Sequence, residues 1–202
     1  MTSHQHTSGG RSGVRRLLVG AAAALALGMA AAQLDAADDQ PSRGVVTVRE
    51  ERGVYLVTAR FQVRQNPELV RAVLTDYDRI PRFMPGVKRS SVLERTPGSV
   101  VVEQEAVSHV MMFSKRVHLV LDIIEGPDVL TFRDRCARSF VRYEGRWTLS
   151  AVDESTAITY QLTAEPSFDV PEFLLKRLLK RDSGEMIEAL RREVEVRAPG
   201  GR

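Results

Sequence analysis

Apolar and polar positions alternate cleanly from Tyr55 to Val63. Tyr55, Val57, Ala59, Phe61 and Val63 fall on one face, and Leu56, Thr58, Arg60 and Gln62 on the other, which is the period of a half-buried strand. Val45, Val46 and Val48 predict a short partner strand before it, joined through a turn over 50–53. The period then changes. Asn66 offers a side-chain oxygen to free amides and Pro67 a preset φ, so a helix opens there and buries Leu69, Val70, Val73 and Leu74. It breaks at Asp76-Tyr77-Asp78, where the carboxylates suit the backbone amides of a turn. Ile80 to Met84, with Pro81 inside and Pro85-Gly86 behind, reads as a second short helical turn and a tight corner.

From Val87 the period returns to two. It predicts strands at 87–95, 99–109, 114–125, 129–136, 140–151 and 156–165, separated by turn sequences such as Thr96-Pro97-Gly98 and Gly126-Pro127-Asp128. Links this short join only antiparallel neighbours, so the sheet is a meander. Pro171 then opens a long amphipathic helix carrying Leu175, Leu178, Leu179, Met186, Leu190 and Val194 on one side. The class is α+β. A curved antiparallel sheet wraps around the long C-terminal helix, with two short helices after the first long strand, and residues 44–198 form the domain. Between sheet and helix such an arrangement leaves room for an apolar ligand.

The candidate lining follows from the alternation. Phe132 and Asp134 share a face with Cys136. Tyr143 and Trp147 share a face of the next strand with Gly145 and Leu149, and Tyr160 and Leu162 a face of the last. From the helix come Leu175, Leu178, Leu179, Asp182 and Met186. A strip of rings with a few polar groups is how small-molecule sites are commonly built. Asp182 needs a partner if it is buried, because an unpaired carboxylate is costly there; otherwise Gly184 kinks the helix and releases it to solvent. A gate is expected from two apolar segments, Ile80, Phe83 and Met84 after the first helix, and Met111, Met112 and Phe113 at a hairpin tip. Lys115 and Arg116 follow that tip, which suits peripheral contact with a membrane.

No catalytic or metal-binding set emerges. His109 and His118 lie on separate strands, Cys136 has no local signature and reads as a small apolar filler, and no cofactor is expected.

Residues 1–32 have the form of an export signal, with Arg11, Arg15 and Arg16 ahead of an Ala- and Leu-rich stretch that ends at Ala30-Ala31-Ala32. Cleavage is expected after Ala32, with Ala36 as the alternative; an uncleaved anchor and twin-arginine export are further alternatives. Residues 33–43 read as a polar, acidic leader. The signal also changes the charge balance. The chain holds 29 Lys and Arg against 26 Asp and Glu, and the segment 1–32 carries three of those bases and no acid, so 26 bases face 26 acids after cleavage. A formally neutral domain gives no footing for nucleic acid. With Cys136 the single cysteine, no intramolecular disulfide forms and packing alone holds the fold.

The run from Asn66 through Tyr77 into Ile80-Pro81-Arg82-Phe83-Met84-Pro85-Gly86-Val87, the late Trp147-Thr148-Leu149 strand and the helix from Pro171 to Val196 together resemble the START-like superfamily. This is the helix-grip or polyketide cyclase/dehydrase group, and within it the chain resembles the coenzyme Q-binding START-domain proteins. The resemblance spans 45–197. It implies a helix-grip fold and binding of a hydrophobic molecule such as a lipid or isoprenoid quinone, here in the periplasm. Two alternatives come with it: a cyclase or aromatase using the same cavity, or a protein-interaction module like the ribosome-associated toxin branch.

Overall fold

The computed structural model describes residues 44–110 and 113–200. The expected signal, the leader and the gate residues Met111 and Met112 lie outside them. Strand β1, Val45–Glu51, pairs with β2, Val54–Val63, through a two-residue turn at Arg52 and Gly53. Both turn residues have positive φ, 52° and 83°, as a hairpin turn matched to strand twist requires. Glu50 Oε1 accepts the Gly53 amide at 2.7 Å. The first strand is therefore longer than its valines suggested, because the tight turn lets Arg49 to Glu51 pair as well.

Helix α1, Pro67–Leu74, is capped by Asn66, whose Oδ1 accepts the Leu69 amide at 2.8 Å. It buries Val70, Val73 and Leu74. A 3-10 turn at Tyr77–Arg79 and the short α2, Ile80–Phe83, follow. These helices carry the chain from β2 to the far edge of the sheet. From there β3 (Val87–Thr96), β4 (Ser99–Val110), β5 (Phe113–Glu125), β6 (Val129–Asp134), β7 (Phe140–Val152) and β8 (Ser155–Pro166) meander back until β8 pairs with β2. The result is one eight-stranded antiparallel sheet in the order β1-β2-β8-β7-β6-β5-β4-β3.

Helix α3, Glu172–Arg197, runs unbroken through Gly184. Its closest neighbours are β1, β2, β4 and α1. Ile187, Leu190 and Val194 are buried in a continuous core with Val57, Phe61, Val70, Val73, Leu149 and Ile158. The core thus lies between the sheet's concave face and the second half of α3, sealed by α1. Each fully buried aliphatic side chain there contributes about 1.5–3 kcal/mol over leaving it in water.

One strand stops early. β6 ends at Asp134 rather than at 136, because the Asp134 carboxylate gathers the amides of Val120 at 2.8 Å, Cys136 at 3.3 Å and Ala137 at 3.0 Å. Ala137, at φ 49°, turns the chain out of the sheet.

Candidate functional site

Strand register decides which side chains share the concave face. Tyr143 is opposite Ala164, Gly145 opposite both Leu162 and Phe132, and Trp147 opposite Tyr160. Phe132, Tyr143, Trp147, Tyr160 and Leu162 therefore gather on the side that α3 covers, as their alternation predicted. Their rings form a continuous strip. Trp147 and Tyr160 have centroids 4.5 Å apart, Tyr160 and Phe132 lie 6.2 Å apart and nearly parallel, and Phe132 and Tyr143 are 5.9 Å apart. Such spacings are within the range in which aromatic pairs attract beyond simple burial.

The strip continues through two residues that the sequence pattern did not single out. Phe140 lies 4.9 Å from Tyr143, and Phe168 lies 6.3 Å from Phe140. Simple alternation puts Phe140 out of phase with Tyr143. A bulge between Phe140 and Arg142 shifts the register and turns both rings inward. Lys115 Nζ sits 3.9 Å from the Phe168 ring centre and closes that end of the strip.

Gly145 makes the strip possible. A β-carbon there would lie 2.6 Å from Phe132 Cζ and 2.1 Å from the Gln161 carbonyl oxygen, so only glycine lets the Phe132 ring lie across β7.

Accessibility varies along this face. Tyr160 and Leu162 are buried, whereas Phe132, Tyr143 and Trp147 are half-buried although they point toward the helix. On α3, Leu175 is buried, Ile187 and Leu190 are buried further on, and Leu178, Leu179, Asp182 and Met186 are half-buried. The first half of α3 and the rings of β6 and β7 therefore both keep accessible apolar surface, while the second half is packed solid.

The polar groups divide into two kinds. Burial pushes the Tyr143 hydroxyl above the ordinary phenol value near 10, the neighbouring Tyr160 hydroxyl opposes that rise, and Asp134 and Asp182 add to it. Tyr160 is raised further still, by burial first and then by its interaction with Tyr143. Both phenols are neutral at physiological pH. The carboxylates are already engaged: Asp134 holds the turn after β6 and accepts the Cys136 thiol at 3.2 Å, and Asp182 pairs with Arg181 at 2.8 Å. Cys136 thus lies past the end of β6, in the turn, and does not share the strand face.

These features fit a known family. Residues 63–191 match the family described as polyketide cyclase/dehydrase and lipid transport. The chain belongs to that family. Its fold is shared by TTHA0849 of Thermus thermophilus, 21% identical over 71% of this chain and 99% of that one, with a TM-score of 0.62. The Zhui aromatase/cyclase of Streptomyces sp. R1128 is 20% identical over 74% and 99%, with a TM-score of 0.62. A STAR-related lipid transfer protein from Xanthomonas axonopodis is 18% identical over 76% and 99%, with a TM-score of 0.54. No curated protein matches the chain. The helix-grip architecture expected from the sequence is the one observed.

Within this domain, the gate candidates sit as follows. Ile80 and Phe83 are half-buried against the core, and Met84 is half-buried beside them. They form a packed corner and not a free apolar tip. The Arg197 guanidinium lies 5.7 Å over the Phe83 ring. Phe113 opens β5, and its side chain, like Met111 and Met112, is outside the described residues. Behind Met84, Pro85 and the α3 residues Lys180, Arg181, Gly184, Glu185, Glu188 and Arg192 line a surface cleft of about 360 Å³. A larger trough of about 800 Å³ crosses the outer face of the sheet, where Arg49, Arg60, Arg146, Leu56 and Ile124 point away from α3. The trough's lining also takes in Phe132, Gly145 and Leu162 of the strip's strands, whereas the cleft includes none of the strip's residues.

His118 is half-buried, with Nε2 3.7 Å from Glu103 Oε1. Among the described residues no three His, Cys, Asp or Glu side chains are placed to hold a metal ion, and no helix is long and apolar enough to cross a membrane.

Proposed function

We propose that this protein is an exported, noncatalytic binder or carrier of a hydrophobic small molecule, a lipid or an isoprenoid quinone, held between the first half of α3 and the rings of β6 to β8. One observation carries this reading: Phe132, Tyr143 and Trp147 face the helix from the concave side and yet remain half-buried. A face built only for packing would bury them as completely as Leu149 and Ile158, which are 2% and 1% exposed. Covering the remaining apolar surface with a ligand is worth about 25 cal/mol per Å², and family membership fits such a guest.

Export rests on the first 32 residues, whose basic start, apolar stretch and small-residue end suit signal peptidase. Contact with a membrane would let the guest enter and leave. Phe173 supports that contact, being 75% exposed at the start of α3 and followed by Lys176, Arg177 and Lys180 on the same helix.

The test is extraction of the full-length protein, purified from its native compartment, followed by mass spectrometry. A stoichiometric apolar compound is expected. Protein that is empty and takes up no offered lipid sinks the reading, and a compound returned chemically altered would favour a cyclase. A reporter active only after export, fused to residues 1–40, separately tests the location; a silent reporter would revive the cytoplasmic alternatives.

A further inference from the structure

The outer trough carries a charge imbalance that folding does not call for. Its lining holds four arginines, Arg49, Arg60, Arg133 and Arg146, against two acids, Asp122 and Glu144. Both acids are already engaged. Glu144 accepts from Arg142 at 2.7 Å and lies 3.6 Å from Arg133, and Asp122 lies 3.4 Å from Arg135. Arg146 has a neutral partner, its Nε donating to Gln161 Oε1 at 2.7 Å. Arg49 and Arg60 make no hydrogen bond or ion pair among the described residues. Other arginines of the sheet do meet acids, as Arg95 meets Glu125 and Arg135 meets Glu94. Three like charges are thus left over on one concave surface, where they repel one another and add nothing to the isolated fold.

Strand register sets their spacing. Arg49 is opposite Leu56, Thr58 is opposite Gln161 and Gln161 opposite Arg146, while Arg60 lies two residues beyond Thr58 on β2. With strands about 4.8 Å apart and about 3.4 Å per residue, the three Cα atoms stand about 12–16 Å from one another. Between them lies a floor of Thr47, Thr58, Gln161 and Thr163. One small anion cannot touch all three arginines. Anionic groups spaced along one molecule can, and every cation of the trough is an arginine, whose planar fork matches phosphate oxygens two at a time. A carboxylate spends both oxygens on one such fork, whereas a phosphate keeps another for a threonine hydroxyl on the floor. A flat bilayer surface suits a projecting face and does not reach hydroxyls at the bottom of a trough.

We propose that the outer trough is a second binding site, for a soluble molecule carrying several phosphate groups in a row, gripped by Arg49, Arg60 and Arg146 above the threonine floor. This ligand does not compete with the apolar guest. Arg146 lies between Gly145 and Trp147 on β7, so its side chain leaves the sheet on the face opposite the rings.

Calorimetry on the full-length purified protein at neutral pH and low salt tests this with tripolyphosphate, inorganic phosphate, a hexaglutamate peptide, and phosphatidylcholine vesicles containing phosphatidylglycerol. Tripolyphosphate should bind one to one, at least about tenfold tighter than phosphate, and lose affinity as salt is raised. Each of Arg49→Gln, Arg60→Gln and Arg146→Gln should weaken it about tenfold or more, the worth of a charge-assisted hydrogen bond. Arg177→Gln, an equal change of charge on the exposed surface of α3, should leave it unchanged, which separates a built site from overall charge. Phosphate binding as tightly as tripolyphosphate, an Arg177→Gln loss equal to those in the trough, or no binding at all would overturn the proposal. Tighter binding of the peptide or of the vesicles would overturn it too, handing the trough to an acidic partner protein or to a membrane. All four substituted arginines are exposed, and the wild-type titrations still rank the probes should a variant not fold. An interior found empty of lipid leaves these expectations standing, so the two proposals fail separately.

Discussion

Arg197 Nη1 lies 2.7 Å from Asp76 Oδ2, across 121 residues of sequence. The same guanidinium donates from Nε to Glu193 at 2.7 Å and covers the Phe83 ring. One side chain at the end of α3 thus ties together the joint after α1, the last turn of α3 and the α2 corner. Burial works against the charge of Arg197, but its hydrogen bonds to Glu193 and Asp76 outweigh that cost and hold it protonated. Arg197→Met should lower stability by roughly 1–2 kcal/mol, as expected for charge-assisted bonds that are mostly shielded from water. Arg197→Lys should recover only part, because an ammonium cannot reach two carboxylates as a planar fork does. Urea unfolding followed by circular dichroism measures both, and an unchanged midpoint would deny the clasp any structural role.

Two leucines of α3 should behave differently. Leu190 is fully buried in the continuous core, so Leu190→Ala should cost about 2–5 kcal/mol. Leu178 is half-buried and outside that core. Leu178→Ala should cost far less stability while reducing the affinity for an apolar guest. Equal losses of stability at the two positions would contradict the division of α3 into a packed half and a covering half.

Gly145→Ala is expected to be severe for so small a change. The new methyl would meet the Gln161 carbonyl and the Phe132 ring at distances that no rotamer relieves, costing about 1–3 kcal/mol. A second effect separates this from simple strain: displaced Phe132 should perturb Trp147 emission through Tyr160. A variant with wild-type melting temperature and unaltered emission would show that the strip does not depend on the missing β-carbon.

Alkaline pH should unfold the protein in a way that the tyrosines report. All four, Tyr55, Tyr77, Tyr143 and Tyr160, have pKa values raised by folding, with burial as the first cause. A raised folded-state value means that the native state keeps protons which the unfolded chain gives up. That stabilisation is fully present below the ordinary phenol pKa near 10 and is lost as pH rises beyond it. Absorbance at 295 nm should therefore stay low past pH 10 in the native protein and then rise together with loss of ellipticity. A smooth titration centred on 10 with the fold intact would place the hydroxyls in water.

Much of this molecule was legible in its sequence because local chemistry and global topology agree. The Asn66 cap, the turns after Thr96 and Glu125, and the period-two runs each name their own element, and the short links allow only a meander. The shared face of Phe132, Tyr143, Trp147 and Tyr160 follows from alternation alone. Features set by distant partners were hidden. Asp134 ends β6 by collecting an amide from β5 as well as two of its own turn, so its role depends on a neighbouring strand. Phe140 was concealed by a bulge that breaks the period. Asp76 looked like a turn former and instead meets Arg197, which no spacing rule could pair with it. Asp182 was expected to meet a base or a polar ligand group, or else to be released by a kink at Gly184; the helix stays continuous, and Arg181 next to it pairs with it.

Because Ile187, Leu190 and Val194 of α3 are buried in the continuous core while Leu178, Leu179, Asp182 and Met186 before them stay half-covered, its amide hydrogens should exchange with deuterium at two different rates. The slow portion would follow global opening. The fast portion would report a local lifting of the first turns that leaves the rest of the domain intact, and a guest seated beneath them would slow that portion selectively.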